Sequence, residues 1–234
     1  MQSLVLPCCH GDEQAHRENR VTVILASGAA PTHEIPLSHL RTADGLVACD
    51  GAWRTAIALG RMPDAVVGDG DSLGGGDREE LAALGIPLVI DSEQDTNDLC
   101  KAFRHVMSKS SEDGDGIVIL GATGKRDDHM IGNIFHLADF AMLKPDVSIV
   151  TDSGVFEPLL PPGRSWPAYA GMPVSVFAPF PDTEIGSEGL EWKLDGVSLK
   201  TLWSGTLNRA TGDSFSLRTN SPAIVYRPHP GCVR

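Results

Sequence analysis

Short apolar runs alternate with longer amphipathic stretches over the first two-thirds of the chain. The runs are rich in β-branched residues and short enough to be buried strands of a parallel sheet. Alternating strands and helices of this kind predict an open parallel sheet with helices on both faces, a Rossmann-like α/β domain. The predicted strands are Val21–Leu25, Leu46–Cys49, Ala65–Val67, Leu88–Ile90 and Ile117–Leu120.

Three amphipathic stretches around these strands predict helices. The first covers Trp53–Leu59. The second covers Asn97–Met107, with Thr96 or Asp95 as its N-cap, since both side chains can accept a hydrogen bond from the first turn. The third, Asp128–Leu143, carries apolar residues at helical spacing. Its predicted buried stripe consists of Ile131, Ile134, Phe135, Ala138 and Met142.

The pattern changes after Lys144 and Pro145, where helical spacing ends and short strands separated by Gly, Pro, Ser and Asp begin. This pattern predicts a small antiparallel β-sandwich or barrel. The strands are Val147–Val150, Val174–Phe177, Val197–Leu199, Ser214–Leu217 and Ala223–Tyr226. The predicted division is therefore a loose tail at 1–20, an α/β domain at 21–146 and a β-sandwich domain at 147–234.

Composition excludes several classes of protein. The formal net charge of −12 argues against a sequence-independent nucleic-acid binder, which needs a basic surface. No run approaches the roughly 20 apolar residues that cross a bilayer, so no membrane association is expected. The five cysteines are odd in number and form no CxxC pair, which indicates neither a disulfide framework nor a zinc ribbon. A reducing, cytoplasmic compartment is expected.

Polar segments follow four of the predicted strands at the point where each strand ends. Asp50 follows the second strand, Gly68–Ser72 the third, Asp91–Asp98 the fourth and Gly121–Arg126 the fifth. Because the carboxyl ends of parallel strands share one edge of the sheet, these segments are expected to meet in a crevice that binds a ligand.

Three carboxylates in these segments predict a metal site. Asp69 and Asp71, flanked by glycines, would make an ordinary surface loop if they stood alone. Together with Asp98 they would repel one another unless a cation lies between them. Carboxylates with water and substrate phosphates are the ligands that Mg²⁺ prefers. The predicted cofactor is Mg²⁺, bound by Asp69, Asp71 and Asp98.

Two further segments predict contacts to phosphate. Lys101 lies three residues after Asp98, so a base and an acid share one face at the start of a helix. In the glycine-rich segment, Arg126 has the geometry to hold a phosphate with two hydrogen bonds. Asp128 would cap the following helix or orient a partner, and His129 is either a core or capping residue or a catalytic one. The spacing is neither that of a P-loop nor GxGxxG.

With these segments assembled, the chain resembles the thiamine pyrophosphokinase family from about Val21 to Tyr226. The motifs that carry the resemblance are Cys49-Asp50-Gly51-Ala52, Pro63-Asp64, Gly68–Ser72, Gln94–Lys101, Gly121–His129, Asn133, Gly189–Leu194 and Gly205–Asn208. The resemblance implies an α/β nucleotide-binding domain followed by a β-sandwich, and a homodimer with thiamine between the α/β domain of one subunit and the sandwich of the other. ATP would be the co-substrate.

The resemblance also implies roles for individual residues. Asp69, Asp71 and Asp98 would coordinate Mg²⁺, and Trp192 would pack against thiamine with Thr206 and Asn208 nearby. The side chains around the ATP phosphates and the thiamine hydroxyl would be Asp50, Gln94, Asn97, Lys101, Arg126 and Asp128. The hydroxyl would attack the β-phosphorus of ATP and expel AMP, with charge stabilised by Mg²⁺, Lys101 and Arg126. Asp71 or Asp98 would accept the hydroxyl proton.

The chain departs from the family pattern at three places. Lys125 stands where a second glycine is common, Asn97-Asp98 where Thr-Asp is common, and Leu207 where serine is common. Other functions stay open on the same crevice: a diphosphokinase acting on a hydroxymethyl pterin, an Asp-x-Asp glycosyltransferase, or a non-catalytic module that binds nucleotide or thiamine.

Overall fold

The α/β part of the protein contains six strands and five α-helices among the residues that the structure describes. We describe a computed structural model of residues 20–109, 115–195, 197–199 and 201–232. The strands of this part are β1 Val21–Leu25, β2 Gly45–Cys49, β3 Ala65–Gly68, β4 Leu88–Ile90, β5 Gly116–Leu120 and β6 Val147–Val150. The helices are α1 Glu34–Thr42, α2 Trp53–Ala58, α3 Asp77–Ala83, α4 Asp98–Lys109 and α5 Asp127–Leu143.

These six strands are parallel and lie in the order β4–β3–β2–β1–β5–β6. Along β1, Val23 and Leu25 pack on one face with α1, α2 and α3, while Ile24 packs on the other face with α4 and α5. Both faces are therefore covered, which explains why four of the five residues of β1 are apolar. The chain leaves β1 towards β2 but returns to β5 on the opposite side, so the crevice opens between the carboxyl ends of β1 and β5.

Within its described residues, the C-terminal part adds eight strands. They are β7 Gly154–Leu159, β8 Gly163–Pro167, β9 Pro173–Phe177, β10 Glu184–Glu188, β11 Val197–Ser198, β12 Gly205–Arg209, β13 Ser214–Thr219 and β14 Ala223–Pro228. Four of them extend the parallel sheet beyond β6 in the antiparallel order β7–β14–β9–β12. The other four form a separate antiparallel sheet in the order β11–β10–β13–β8.

The two antiparallel layers enclose a third core, which includes Leu159, Trp166, Val176, Phe215 and Leu217. The predicted fold class, an open parallel α/β domain followed by an antiparallel β-sandwich, is thus confirmed. One layer of the sandwich continues the parallel sheet without a break, because β6 pairs parallel with β5 and antiparallel with β7. The sequence pattern had grouped β6 with the sandwich. The domain boundaries themselves stay a prediction.

Several local predictions were wrong. The stripe predicted on α5 included Ile131 and Met142, which are 51% and 64% exposed. The buried face is rotated from that stripe and includes Asn133, Leu137, Ala138, Phe140 and Ala141. Helices α1 and α3 were not predicted, because α1 contains Pro36 and four polar residues in its last turns, and α3 follows a run of glycines.

The predicted tail at 1–20 lies outside the described residues except for Arg20. Among the helices that the structure describes, none combines the length and the apolar character needed to cross a membrane.

Candidate active site

The four polar segments predicted to meet at the carboxyl edge of the sheet do meet there. They surround a cavity of about 360 Å³ whose lining includes Asp69, Asn97, Asp98, Lys125, Arg126 and Asn133. The loop after β1 supplies a further wall through Ser27 and Gly28. That segment was not singled out from the sequence, although it also follows a strand directly. A second cavity of about 750 Å³ lies beside the first and shares Thr123 with it.

Three carboxylates converge in this crevice. One oxygen from each of Asp50, Asp69 and Asp98 lies within 4.8 Å of the other two. Asp50 comes from the turn after β2, Asp69 from the loop after β3, and Asp98 from the first residue of α4. The topology of the sheet brings together residues that are up to 48 positions apart in the chain.

Asp50 is the buried member of this group. Asp50 is fully inaccessible to solvent, and its Oδ2 accepts a hydrogen bond of 2.7 Å from the backbone N–H of Gly70. Its Oδ1 is also buried and has no hydrogen-bond partner. Gly68 permits the close approach, because a Cβ at that position would lie 2.6 Å from the Cβ of Asp50. Burial raises the pKa of the Asp50 carboxyl.

Lys101 supplies a positive charge beside two members of the group, Asp69 and Asp98. It is 2% exposed, and its Nζ lies 3.5 Å from Asp69 Oδ2 and 3.9 Å from Asp98 Oδ1. Burial, followed by the negative charges of Asp69 and Asp50, raises the pKa of the Asp98 carboxyl. The pKa of Asp69 is lowered, chiefly by the hydrogen bond that its Oδ1 accepts from the backbone N–H of Asp71 at 3.0 Å.

These residues fit a divalent cation. Three carboxylates face one buried lysine, which leaves a local excess of negative charge, and one buried oxygen has no partner. An unpaired buried carboxylate oxygen is costly, and a hard cation is the ligand that satisfies oxygens of this kind. Asp71 lies outside the converging group and its side chain is exposed; its backbone N–H supports Asp69 instead.

The start of α4 is held by Asn97. Its Oδ1 accepts a hydrogen bond of 3.0 Å from the backbone N–H of Cys100, so Asn97 is the N-cap and the predicted Thr96 or Asp95 is not. Thr96 instead donates its hydroxyl to Glu93 at 2.6 Å. Gln94 lies at the same edge, where its Nε2 donates a long hydrogen bond of 3.5 Å to Asp69.

The glycine-rich loop after β5 carries exposed positive charge. Lys125 Nζ donates a 2.8 Å hydrogen bond to the backbone carbonyl of Ser27, across the crevice from its own strand. Arg126 is paired with Asp128, and its Nε donates to Asp128 Oδ1 at 3.1 Å. The Arg126 guanidinium lowers the pKa of Asp128 to about 2. Gly124 has a φ of +90° and packs against Ala29, where a side chain would not fit.

The residues expected to contact thiamine are on the sandwich, away from the carboxylates. Trp192 is 52% exposed, and the side chain of Asn208 holds its backbone. Trp192 N–H donates to Asn208 Oδ1 at 3.2 Å, and Asn208 Nδ2 donates to the Trp192 carbonyl at 2.7 Å. Thr206 is in β12 and donates its hydroxyl to the Trp203 carbonyl at 2.8 Å. None of Trp192, Thr206 and Asn208 lines the cavity of the carboxylates.

Comparison with protein families identifies two consecutive matches. The family "Thiamin pyrophosphokinase, catalytic domain" matches residues 37–151, and "Thiamin pyrophosphokinase, substrate-binding domain" matches residues 154–226. Thiamine pyrophosphokinase 1 of rice is 32% identical over an alignment of 155 residues that covers 61% of this chain. The aligned part spans 57% of that relative's length, a little over half.

Solved structures share the fold at low sequence identity. A thiamine pyrophosphokinase from Bacillus subtilis superposes with a TM-score of 0.74 at 21% identity, covering 89% of this chain and 99% of that one. The enzyme from Candida albicans gives a TM-score of 0.73 at 16% identity, covering 90% and 89%. The yeast enzyme gives 0.67 at 15% identity, covering 92% and 87%.

Proposed function

The chain belongs to the thiamine pyrophosphokinase family, and from that premise we propose that it transfers the diphosphate of ATP to the hydroxyl of thiamine, giving thiamine diphosphate and AMP. One observation carries the proposal beyond family membership. Asp50, Asp69 and Asp98 converge with Lys101 at the carboxyl edge of the parallel sheet, where open α/β sheets bind their ligands.

The proposed metal is Mg²⁺, held by the carboxylates of the crevice. Of the predicted ligands, Asp69 and Asp98 belong to the converging carboxylates. Asp50 is the third member of that group and has a buried oxygen without a hydrogen-bond partner. Asp71 stays a candidate ligand, two residues after Asp69 on an exposed loop. When bound, Mg²⁺ would neutralise phosphate oxygens and the charge that develops on them during transfer.

The proposed ATP contacts come from the two segments that face each other across the cavity. Lys101 would bind a phosphate oxygen from beside the carboxylates, while Arg126 would hold another with its planar guanidinium. Arg126 would exchange its pairing with Asp128 for the phosphate, because both side chains are more than half exposed and the pair is solvated. Gln94, Asn97 and Asp50 complete the predicted set around the phosphates.

The proposed reaction needs alignment more than covalent chemistry. The thiamine hydroxyl oxygen forms a bond to the β-phosphorus, and the bond from that phosphorus to the oxygen shared with the α-phosphate breaks. AMP leaves with that oxygen, and the hydroxyl proton passes to Asp71 or Asp98. Burial raises the pKa of Asp98, which favours Asp98 as the proton acceptor. Coordination of Mg²⁺ by the same carboxylate would oppose this role.

The proposed acceptor site is built by two copies of the chain. Trp192, Thr206 and Asn208 do not line the carboxylate cavity of their own copy, so the sandwich of a second copy would supply them. A tryptophan face suits the cationic thiazolium ring of thiamine. Mixing Asp98→Asn protein with Trp192→Ala protein, each of which should turn over slowly at a thiamine concentration below the wild-type KM, tests this homodimer. Partial recovery of turnover supports a shared site, and no recovery after subunit exchange refutes it.

The substrate is tested by AMP release with a panel of acceptors. Thiamine, a hydroxymethyl pterin and a sugar acceptor are each incubated with ATP and Mg²⁺. Release of AMP with thiamine alone supports the proposal. Release of AMP with the pterin alone would make the chain a pterin diphosphokinase. Binding of thiamine without release of AMP in the presence of any acceptor would indicate a non-catalytic module.

We also propose that 21–146 forms the nucleotide- and metal-binding domain and that 147–234 forms the thiamine-binding domain. The matched families divide the chain near the same place, at residues 151 and 154. The cytoplasmic location stays a prediction from cysteine usage. It is supported by Cys49, Cys100 and Cys232, which are free thiols among the described residues.

A further inference from the structure

Two asparagine side chains link the opposite walls of the cavity. Asn97 Nδ2 donates a hydrogen bond of 2.9 Å to Asn133 Oδ1, and Asn133 Nδ2 donates one of 3.0 Å to the backbone carbonyl of Ala122. Asn97 precedes α4, Asn133 lies in α5, and Ala122 lies in the glycine-rich loop after β5. Three separate elements of the proposed site are joined by this amide relay, Asn97–Asn133–Ala122.

The direction of the relay is set by its two ends. Asn97 Oδ1 accepts from the backbone N–H of Cys100 at 3.0 Å, so its amide nitrogen must be the group that faces Asn133. At the other end, the Ala122 carbonyl can only accept, so the amide nitrogen of Asn133 must face it. Each asparagine thus has one orientation that satisfies both of its neighbours, and rotating either amide would break two bonds.

The relay lies at the wall of the cavity. Asn133 is 8% exposed, so breaking its bonds would leave buried polar groups unsatisfied. Asn97, Asn133 and Ala122 all line the cavity, together with Asp98 and Arg126. Asp98 directly follows Asn97, and Lys101 N–H donates to the Asn97 carbonyl at 3.2 Å. On the other wall, Lys125 and Arg126 follow Ala122 within four residues.

We propose that Asn133 is a positioning residue, which holds the metal-binding start of α4 and the phosphate-binding loop after β5 at the separation that ATP requires. The inference rests on the proposed function. Asn133 does not itself act on the substrate in this account. Its amide fixes the spacing between Asp98, which has Lys101 beside it, on one wall and Lys125 with Arg126 on the other, so that both sets contact one triphosphate without a loop rearrangement.

Two uncharged variants break the relay at different points. Asn133→Leu removes both of the bonds that Asn133 makes while keeping its approximate size. Asn97→Ser keeps an N-cap acceptor for α4 but is too short to reach Asn133. Asn220→Ser is the matched control. Asn220 lies in the sandwich, where its side chain likewise accepts from a backbone N–H, that of Glu184, and donates to a backbone carbonyl, that of Asp182.

Two quantities are measured. The first is the dissociation constant of the protein for the Mg²⁺ complex of α,β-methylene ATP, whose bridge between the α- and β-phosphates resists cleavage. The second is the hydrogen exchange of the nucleotide-free protein. We expect Asn133→Leu to weaken binding about tenfold or more and Asn97→Ser about threefold or more. The double variant should bind the nucleotide no more weakly than Asn133→Leu does, because both changes break the same amide relay. Exchange should rise in residues 121–126 and at the start of α4. The control should match the wild-type protein in both measurements.

Binding within twofold of wild type in both single variants would overturn the proposal, as would strictly multiplicative effects in the double variant. A lower melting temperature with unchanged binding and unchanged exchange in 121–126 would also overturn it, because the relay would then be merely structural. Failure of the proposed function is seen separately. Wild-type protein would then form no thiamine diphosphate, while the binding and exchange measurements would still decide whether the relay positions the two walls.

Discussion

Asp50 Oδ2 accepts a 2.7 Å hydrogen bond from the backbone N–H of Gly70, while Asp50 Oδ1 is buried without a hydrogen-bond partner. The two oxygens of this carboxylate thus differ. One oxygen holds the loop that presents Asp69, and the other has no hydrogen-bond donor to satisfy it. The Asp50 carboxylate destabilises the metal-free protein, because it is buried and one of its oxygens lies within 4.8 Å of an oxygen of Asp69 and of an oxygen of Asp98.

The first prediction follows from this division. Asp50→Asn keeps an acceptor for Gly70 and removes the negative charge, so the metal-free protein should melt about 2–4 °C higher, the shift that about 1 kcal/mol produces in a chain of this size. The rise in melting temperature that saturating Mn²⁺ gives the wild-type protein should be lost. Thermal unfolding with and without Mn²⁺ measures both effects. Lower stability of the metal-free variant would contradict the account, and so would full stabilisation by Mn²⁺.

The second prediction separates Asp69 from Asp71. Asp69 belongs to the converging carboxylates, whereas the Asp71 side chain is exposed and outside the group. Asp69→Asn should therefore weaken Mn²⁺ binding tenfold or more, and Asp71→Asn less than threefold, as measured by titration calorimetry. Equal losses in the two variants would make Asp71 a full metal ligand, as the sequence motif predicted.

Much of this fold could be predicted from the sequence, because the buried parallel strands are marked by their own composition. Val21–Leu25, Leu88–Ile90 and Val147–Val150 have the bounds that their apolar runs gave. Strands of the sandwich were harder to detect. Glu184–Glu188 and Gly205–Arg209 each have few apolar residues, and Leu207 has a φ of +61° inside β12, which breaks simple alternation.

The site could be predicted as a meeting of segments but not as a set of contacts. Strand order brings the ends of β2 to β5 together whatever the loops do, so Asp50, Asp69 and Asp98 could be expected in one crevice. Which carboxylate is buried depends on loop geometry, and Gly68 and Gly70 decide it here. The N-cap of α4 could not be chosen among neighbouring polar residues, because tertiary contact with Asn133 selects Asn97.

The third prediction concerns the acceptor. Trp192→Ala removes a half-exposed ring while Asn208 still holds the backbone, so folding should be unaffected. The KM for thiamine should rise about tenfold, the change that about 1.4 kcal/mol produces, with the KM for ATP unchanged. Tyr169→Ala, which removes an exposed aromatic ring from the same part of the chain, is the control. An unchanged KM for thiamine in Trp192→Ala would exclude stacking on this tryptophan.

The fourth prediction is a pH dependence of stability that arises away from the site. Burial lowers the pKa of His229, which is 6% exposed and has its Nε2 2.8 Å from the Thr151 carbonyl. Burial also lowers the pKa of His39, with a smaller contribution from His229. Below the unfolded pKa of about 6.5 the unfolded chain binds more protons, so stability is full above that pH and falls as pH decreases.

The melting temperature should therefore fall between pH 7.5 and pH 5.0, and His229→Gln should reduce that fall. Glutamine can still donate to the Thr151 carbonyl but cannot be protonated. The groups acting on His229 include His33 and Arg227, which oppose its protonation, and Asp152, which favours it. His136→Gln, in α5, is the control. If His229→Gln and the control show the same pH profile as the wild-type protein, His229 does not contribute to the acid sensitivity.

The proposed transfer is tested most directly by the products of a single incubation. Purified protein with ATP, Mg²⁺ and thiamine is quenched, and the phosphorylated products are identified by ³¹P NMR and chromatography. Attack at the β-phosphorus predicts equal amounts of AMP and thiamine diphosphate, and no product from Lys101→Met protein, which lacks the buried cation beside Asp69 and Asp98. ADP with thiamine monophosphate would contradict the account, because it would mean that only the terminal phosphate is transferred.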